Sequence, residues 1–237
     1  SESRRYRRRA MTKYAMVIDL HRCTGCSACI IGCKNENNLS EGVAWSSKIT
    51  RTEGKFPNVR YDYIPTLCNH CSNAPCVAAC PTGAMHKIDG GITMHDPDLC
   101  IGCRYCMAAC PYDVIHFNRD DPQMFWQDEM ALIPGGTSSA QEITGQVGGA
   151  VPPYYNPARE ATLPGVRPQG VVEKCTFCDH RVANGELPYC VEVCPADARI
   201  FGDLDDPDSE ASQLLGQYSP SRLREEMGTE PNVYYIR

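Results

Sequence analysis

The stretch Cys100-Ile-Gly-Cys103-Arg-Tyr-Cys106-Met-Ala-Ala-Cys110-Pro111 carries four thiols at the spacing C-x2-C-x2-C-x3-C-P. Three thiolates two residues apart can wrap one face of a small cuboidal cluster from a single tight loop. The fourth arrives one helical turn later and points away, so it suits a second cluster. The proline after it stops the chain from staying in the helix direction. This spacing is the one by which [4Fe-4S] clusters are held, the last cysteine serving the other cluster of a pair.

All sixteen cysteines fall into four groups of four, with none left over. Group I is Cys23, Cys26, Cys29 and Cys33; group II is Cys68, Cys71, Cys76 and Cys80; group III is Cys100, Cys103, Cys106 and Cys110; group IV is Cys175, Cys178, Cys190 and Cys194. Four groups of four imply four metal centres with thiolate ligands. Two other chemistries use many cysteines. A disulfide scaffold is disfavoured because three cysteines within seven residues cannot pair locally without strain. Zinc normally takes its ligands as two separated pairs, whereas groups II and III both end in the C-x3-C-P of an iron–sulfur loop.

The elements around these groups can be read in chain order. Residues 1–12 form a basic arm with Arg4, Arg5, Arg7, Arg8 and Arg9. Ser-Arg-Arg resembles part of a twin-arginine signal, but no apolar h-region follows, so no export signal is assigned and the arm is expected to be solvated. Tyr14–Asp19 predicts a strand leading into group I, where Lys34 replaces the proline and lets the helix continue. Trp45 and Phe56 are expected to be packing residues, and His70, between two cysteines, a residue at the rim of its site. Residues 84–95 predict a hairpin across Gly90-Gly91. Residues 114–118 and 198–203 predict strands, and Ser209 a helix N-cap. The order cysteine loop, helix, hairpin, cysteine loop, helix, strand makes groups II and III one unit. Group IV, by elimination, joins group I.

The chain therefore reads as α+β: two interleaved bacterial-ferredoxin-like units, each with two [4Fe-4S] clusters, and loop-rich insertions. One unit takes residues 13–60 plus 168–237, and the other residues 61–125. Residues 126–167 form an extended Pro/Gly-rich connection draped over a surface or partner.

The stretches IPTLCNHCSNAPCVAACPTGA, CIGCRYCMAACPY, EKCTFCDHRVANGELPYCVEVCP and GDLDDP, with the closing VYYIR, resemble the four-cluster iron–sulfur subunits of dimethyl sulfoxide reductase superfamily molybdoenzymes. Among these, the small subunits of arsenate respiratory, polysulfide and tetrathionate reductases look most similar. The resemblance implies cross-paired ligation. Cys23, Cys26 and Cys29 would share a cluster with Cys194, and Cys33 would join Cys175, Cys178 and Cys190. Cys68, Cys71 and Cys76 would share with Cys110, and Cys80 would join Cys100, Cys103 and Cys106. It further implies an electron wire to a molybdopterin cofactor held only in a large catalytic subunit, fed by a membrane quinol-oxidising anchor or a cytochrome. Lys174, Arg104 and Thr24 are candidates to tune single clusters. The expected place is the outer face of the cytoplasmic membrane, reached with a signal-bearing partner; the cytoplasm is the alternative.

Several classes are disfavoured. The net charge of -6 is the wrong sign for a nucleic-acid footprint. No window approaches the roughly eighteen apolar residues of a membrane span. No P-loop, dinucleotide fingerprint or nucleophile–base motif is present, so the chain has no active site of its own and is an electron-transfer subunit or, as the alternative, a free-standing polyferredoxin. The anaerobically purified chain is expected to be brown, absorbing near about 400 nm, with roughly sixteen irons. A colourless, zinc-containing protein would contradict this.

Overall fold

A computed structural model describes residues 12–120, 133, 135–150 and 155–237; the basic arm lies almost wholly outside them. Strand β1 (Tyr14–Asp19) leads through the first cysteine loop into helix α1 (Ala28–Glu36). Strands β2 (Ser46–Lys55) and β3 (Asn58–Leu67) form a hairpin. Then come α2 (Pro75–Ala78), β4 (Met85–Lys87), β5 (Thr93–His95), α3 (Tyr105–Ala109) and β6 (Ile115–Phe117). After α4 (Ala140–Val147) and a 3-10 turn at Pro157–Ala161 follow β7 (Val172–Lys174), α5 (Asp179–Ala183), α6 (Tyr189–Glu192) and β8 (Arg199–Asp203). Helix α7 (Glu210–Gln217) and β9 (Val233–Ile236) close the chain.

The largest sheet has the order β8-β1-β9, antiparallel on one side and parallel on the other. Its period-2 alternation sorts two apolar layers. Met16, Ile18, Phe201, Val233 and Tyr235 face the main core, which also holds Trp45, Phe177 and cysteines of all four groups. Ala15, Val17, Ile200, Tyr234 and Ile236 face the other way, under Ala211, Leu214 and Leu215 of α7. Burying each such large side chain contributes roughly 1.5–3 kcal/mol. Helix α7 starts where expected, with Ser209 Oγ accepting from Ser212 N–H at 3.2 Å.

Sheet pairing joins stretches distant in sequence. Strand β1 lies between segments near the C-terminus, and β6 pairs antiparallel with β7, from Ile115↔Lys174 to Phe117↔Val172. Strand β3 runs through positions 60 and 61, so the β2–β3 hairpin spans the division expected there.

Two packing expectations are corrected. Trp45 is buried in the core, but Phe56 is 91% exposed, because it sits at the turn of the hairpin beyond the reach of any layer. The connection at 126–167 is more than a surface strap. Residues 126–132, 134 and 151–154 lie outside the described ones. The rest carry α4, with a full capping box from Ser139 and Glu142, and drive Arg159, Leu163 and Arg167 into the interior. Arg167 Nε pairs with Glu173 at 2.8 Å, both buried, while its Nη2 donates to the Asn38 carbonyl at 2.9 Å. Its guanidinium also lies 5.3 Å from the Trp45 ring centroid.

Removing one partner of a buried ion pair leaves an uncompensated charge, so Glu173→Ala is expected to cost about 3–5 kcal/mol. Phe56→Ala should stay within about 0.5 kcal/mol of the parent. Thermal unfolding of the iron-loaded chain should show a lowered midpoint for the first and an unchanged one for the second.

Candidate cluster-binding sites

The first C-x2-C loop of each group needs its backbone to turn sharply around the thiols, and the second residue between the cysteines makes that turn. Gly25, His70, Gly102 and Phe177 occupy this position in the four groups, all with positive φ. At Gly25 a Cβ would come within 2.3 Å of the Tyr63 ring, and at Gly102 within 2.3 Å of the Gly170 carbonyl oxygen. Glycine is required there by both conformation and space. His70 and Phe177 take the same conformation with a side chain, and their rings stack at 3.7 Å. That stack corrects the rim position expected for His70, which is only 1% exposed. The imidazole is enclosed between two cysteine loops, Nδ1 accepting from Thr93 N–H at 3.1 Å. Burial first, then Lys174 and Lys87, push its pKa well below the usual histidine value.

The C-x3-C-P endings work differently. After the proline, Gly83, Asp113 and Asp197 adopt positive φ and swing the chain back past the thiol. Met85 N–H then donates to Cys80 Sγ and Ala198 N–H to Cys194 Sγ, each at 3.4 Å. Burial works to raise the Cys80 thiol, yet these hydrogen bonds from Met85, Thr82 and Gly83 bring it below its ordinary value. Group I, with Lys34 in place of proline, keeps its helix to Glu36. The amide of Asn37 lies 3.7 Å from Cys33 Sγ and 4.0 Å from Cys178 Sγ.

These turns sort the sixteen thiols into four sets that cross group boundaries. Cys23, Cys26, Cys29 and Cys194 line one space of about 430 Å³. Cys68, Cys71, Cys76 and Cys110 line one of about 320 Å³. Cys80, Cys100, Cys103 and Cys106 line a third of about 280 Å³. These volumes include the open mouths. Cys33 is buried, its thiol raised by burial and then by Cys175, Cys178 and Cys190, and one Asn37 amide reaches both Cys33 and Cys178, which completes the fourth set.

The sets are also ordered in space. Cys29 acts electrostatically on Cys190, linking the first set to the fourth. Cys68 is the strongest charged neighbour of Cys175, linking the fourth set to the second. Cys76 and Cys106 share one apolar cluster, linking the second to the third. Exposed cysteines occur only in the two outer sets, at Cys26 and Cys103.

The donor chemistry fits iron–sulfur clusters. Four cysteine sulfurs from two groups line each of the three spaces, and backbone N–H groups donate to Cys80 and Cys194, as suits thiolates. Among the described residues, no three His, Cys, Asp or Glu side chains converge to hold a single metal ion. The thiols stand around spaces, not around a point. Burial drives Cys71 and Cys106 up to about 11 and Cys76 and Cys178 to about 12. Thiolates so placed need cationic iron beside them.

The candidate tuning residues differ in placement. Lys174 is buried, its Nζ donating to the carbonyls of Thr93 and, at 2.9 Å, Cys175. Arg104 lies over the Phe117 ring at 5.0 Å, and Thr24 lines the space of the first set. Three features have no counterpart among the expected residues. One is a buried network beside Cys178, in which His180 bridges Glu36 and Arg159 at 2.7 Å each and Arg159 pairs with Asp179 at 2.9 Å. The others are Asn37 and Arg199. Only Arg199 left a signal: a cation in phase with Phe201 on a half-buried strand.

Fold and site together define a dicluster ferredoxin-like iron–sulfur protein of mixed helix and strand. The 4Fe-4S dicluster domain family matches residues 59–127 and 150–204. The arsenate respiratory reductase iron-sulfur subunit of Shewanella sp. (strain ANA-3) is 52% identical over 225 residues, covering 95% of this chain and 96% of its own. The iron-sulfur subunit of a putative dimethyl sulfoxide reductase of Halobacterium salinarum is 44% identical (95% and 79%), and a selenate reductase subunit of Mesobacillus selenatarsenatis 38% (97% and 75%). The chain belongs to this family, the iron–sulfur electron-transfer subunits of respiratory molybdoenzymes.

A site built mainly of thiols cannot keep its shape without metal. Chelating the iron under reducing conditions is expected to abolish near-UV circular dichroism and expose the chain to protease. Retention of the native near-UV spectrum would contradict the assignment.

Proposed function

We infer that the chain holds four [4Fe-4S] clusters and relays electrons through them to or from a molybdopterin site in a separate catalytic subunit. The observation that carries this is the order of the four thiol sets, a file with exposed cysteines at both ends and buried ones between. Cys23, Cys26, Cys29 and Cys194 would hold one end cluster, and Cys80, Cys100, Cys103 and Cys106 the other. Cys33, Cys175, Cys178 and Cys190, and Cys68, Cys71, Cys76 and Cys110, would hold the inner two. A cluster so held accepts and releases one electron at a time. The chain's residues fix the spacing, keep water from the inner pair and supply the N–H groups and cations that set each potential. This crossed ligation is what makes the two ferredoxin-like units interleave.

Partners follow from exposed apolar side chains at one end of the file. Leu99, Ile101 and Tyr105 flank Cys103 in the chain and are all at least half exposed, a suitable surface for another subunit. A quinol-oxidising membrane anchor or a cytochrome would serve the opposite end. No described helix is long and apolar enough to cross a membrane. The 126–167 connection does not separate a fixed subunit from a free polyferredoxin, because its buried arginines serve this chain's own core. The complex would work on the outer face of the cytoplasmic membrane, exported with a signal-bearing partner, with a cytoplasmic complex as the alternative.

Affinity purification of the chain from its anaerobically grown source should recover a large subunit containing molybdenum in about equal amount. A monomer with full iron content and no such subunit would instead support the free polyferredoxin.

A further inference from the structure

Arg199 is a buried cation with no carboxylate in ion-pair distance among the described residues. It stands in β8 in register with Ile18 of β1, so it leaves the sheet on the face of Met16, Ile18, Phe201, Val233 and Tyr235. The residue is 3% exposed. Its Nη2 donates to Ser46 Oγ at 3.1 Å, and the guanidinium lies within reach of the Cys190 thiol as a hydrogen-bond acceptor, while Nε and Nη1 have no well-aligned partner among the described residues. The ionisable groups that act on it most are thiols, Cys190 first and then Cys29, followed by Tyr235.

The position is shared between two thiol sets. The guanidinium lines the space of Cys23, Cys26, Cys29 and Cys194. It also lies against Cys190 of the neighbouring inner set and reaches Cys33 of that set electrostatically. An arginine keeps its charge in any folded protein. Burying that charge without a partner is strongly unfavourable, so the site is completed only when negative charge comes to it. The other arginines of the interior, Arg159 and Arg167, each have a carboxylate within 3 Å. Lys174 rests on carbonyl oxygens. Arg199 has neither.

We propose that Arg199 sets the reduction potentials of two clusters at once, the outer one of Cys23, Cys26, Cys29 and Cys194 and the inner one of Cys33, Cys175, Cys178 and Cys190. The proposal rests on four clusters being held as inferred above. Reducing either cluster adds one electron, delivered by its neighbour in the file or by the external donor, and moves no proton. The negative charge facing the guanidinium therefore rises by one. In a water-poor interior the cation stabilises the reduced form more than the oxidised form, so both potentials stand higher than they would without it. One charge thus raises two adjacent stations of the file together.

The test is an EPR-monitored potentiometric titration of the full chain, loaded with iron and kept anaerobic. Arg199→Gln should lower two of the four potentials, each by about tenfold or more in the reduction equilibrium, or about 59 mV for one electron. The other two should stay in place. Arg199→Lys, which keeps the charge, should restore most of the shift. Ser46→Asp keeps the guanidinium but gives it a carboxylate, and should lower the same two potentials even if Arg199→Gln loads poorly. A merely structural Arg199 would alter cluster content and leave the potentials of loaded clusters where they were. Four unmoved potentials in iron-replete Arg199→Gln or Ser46→Asp would overturn the proposal. A parent chain lacking four cluster signals would fail the cluster count instead.

Discussion

A buried thiol resists losing its proton, and thiols crowded together resist it further, because each thiolate would repel the next. The inner cysteines live under this constraint: Cys76 and Cys178 are pushed to about 12, and Cys33 is raised by three thiols beside it. Without iron, the centre of this protein is four sets of thiols, three of them lining open spaces, that cannot all ionise. Clusters held in these spaces would cross-link the chain, each joining one cysteine of a group to three of another. The small helices, four to nine residues at the cysteine loops, could not hold such a fold by their own propensity. Clusters bound there would act as core.

The rest of the architecture serves that centre. The β8-β1-β9 sheet places one apolar face against the loops and seals the other under α7. The His70–Phe177 stack closes the junction where the two inner sets meet, in the positions that the outer loops give to Gly25 and Gly102. The outer loops need room for a close approach, by Tyr63 or by the Gly170 carbonyl. The inner loops meet each other and can fill the gap with rings. Left-handed backbone at a non-glycine residue costs on the order of 1–3 kcal/mol, and the buried stack offsets it.

Features encoded over short spans are legible in the sequence. Cysteine spacing specifies the loop type, the Gly90-Gly91 pair the hairpin, and Ser209 the start of α7. Short apolar runs rich in Val, Ile and aromatic residues mark β1 and β8. Features made by residues far apart are not legible in this way. Phe56 reads as a packing residue because it is aromatic, yet it sits at a turn that no other element approaches. His70 reads as a rim residue because only its own loop is in view, and Phe177 lies across the junction. The Pro/Gly-rich composition of 126–167 hides two arginines whose partners, Asp179 and Glu173, stand in the following segment. The crossed grouping of thiols is implied by family resemblance more than by spacing alone.

That crossing is the claim on which interleaving, the file of centres and the shared role of Arg199 all depend. Crystals of the iron-loaded chain, measured at the iron absorption edge, would locate the metal directly. The account predicts four compact iron centres in one file, each ringed by three cysteines of one group and a fourth from its partner group, with Cys110 beside Cys68, Cys71 and Cys76. Iron centres each ringed by the four cysteines of a single group, with Cys110 beside Cys100, Cys103 and Cys106, would contradict it.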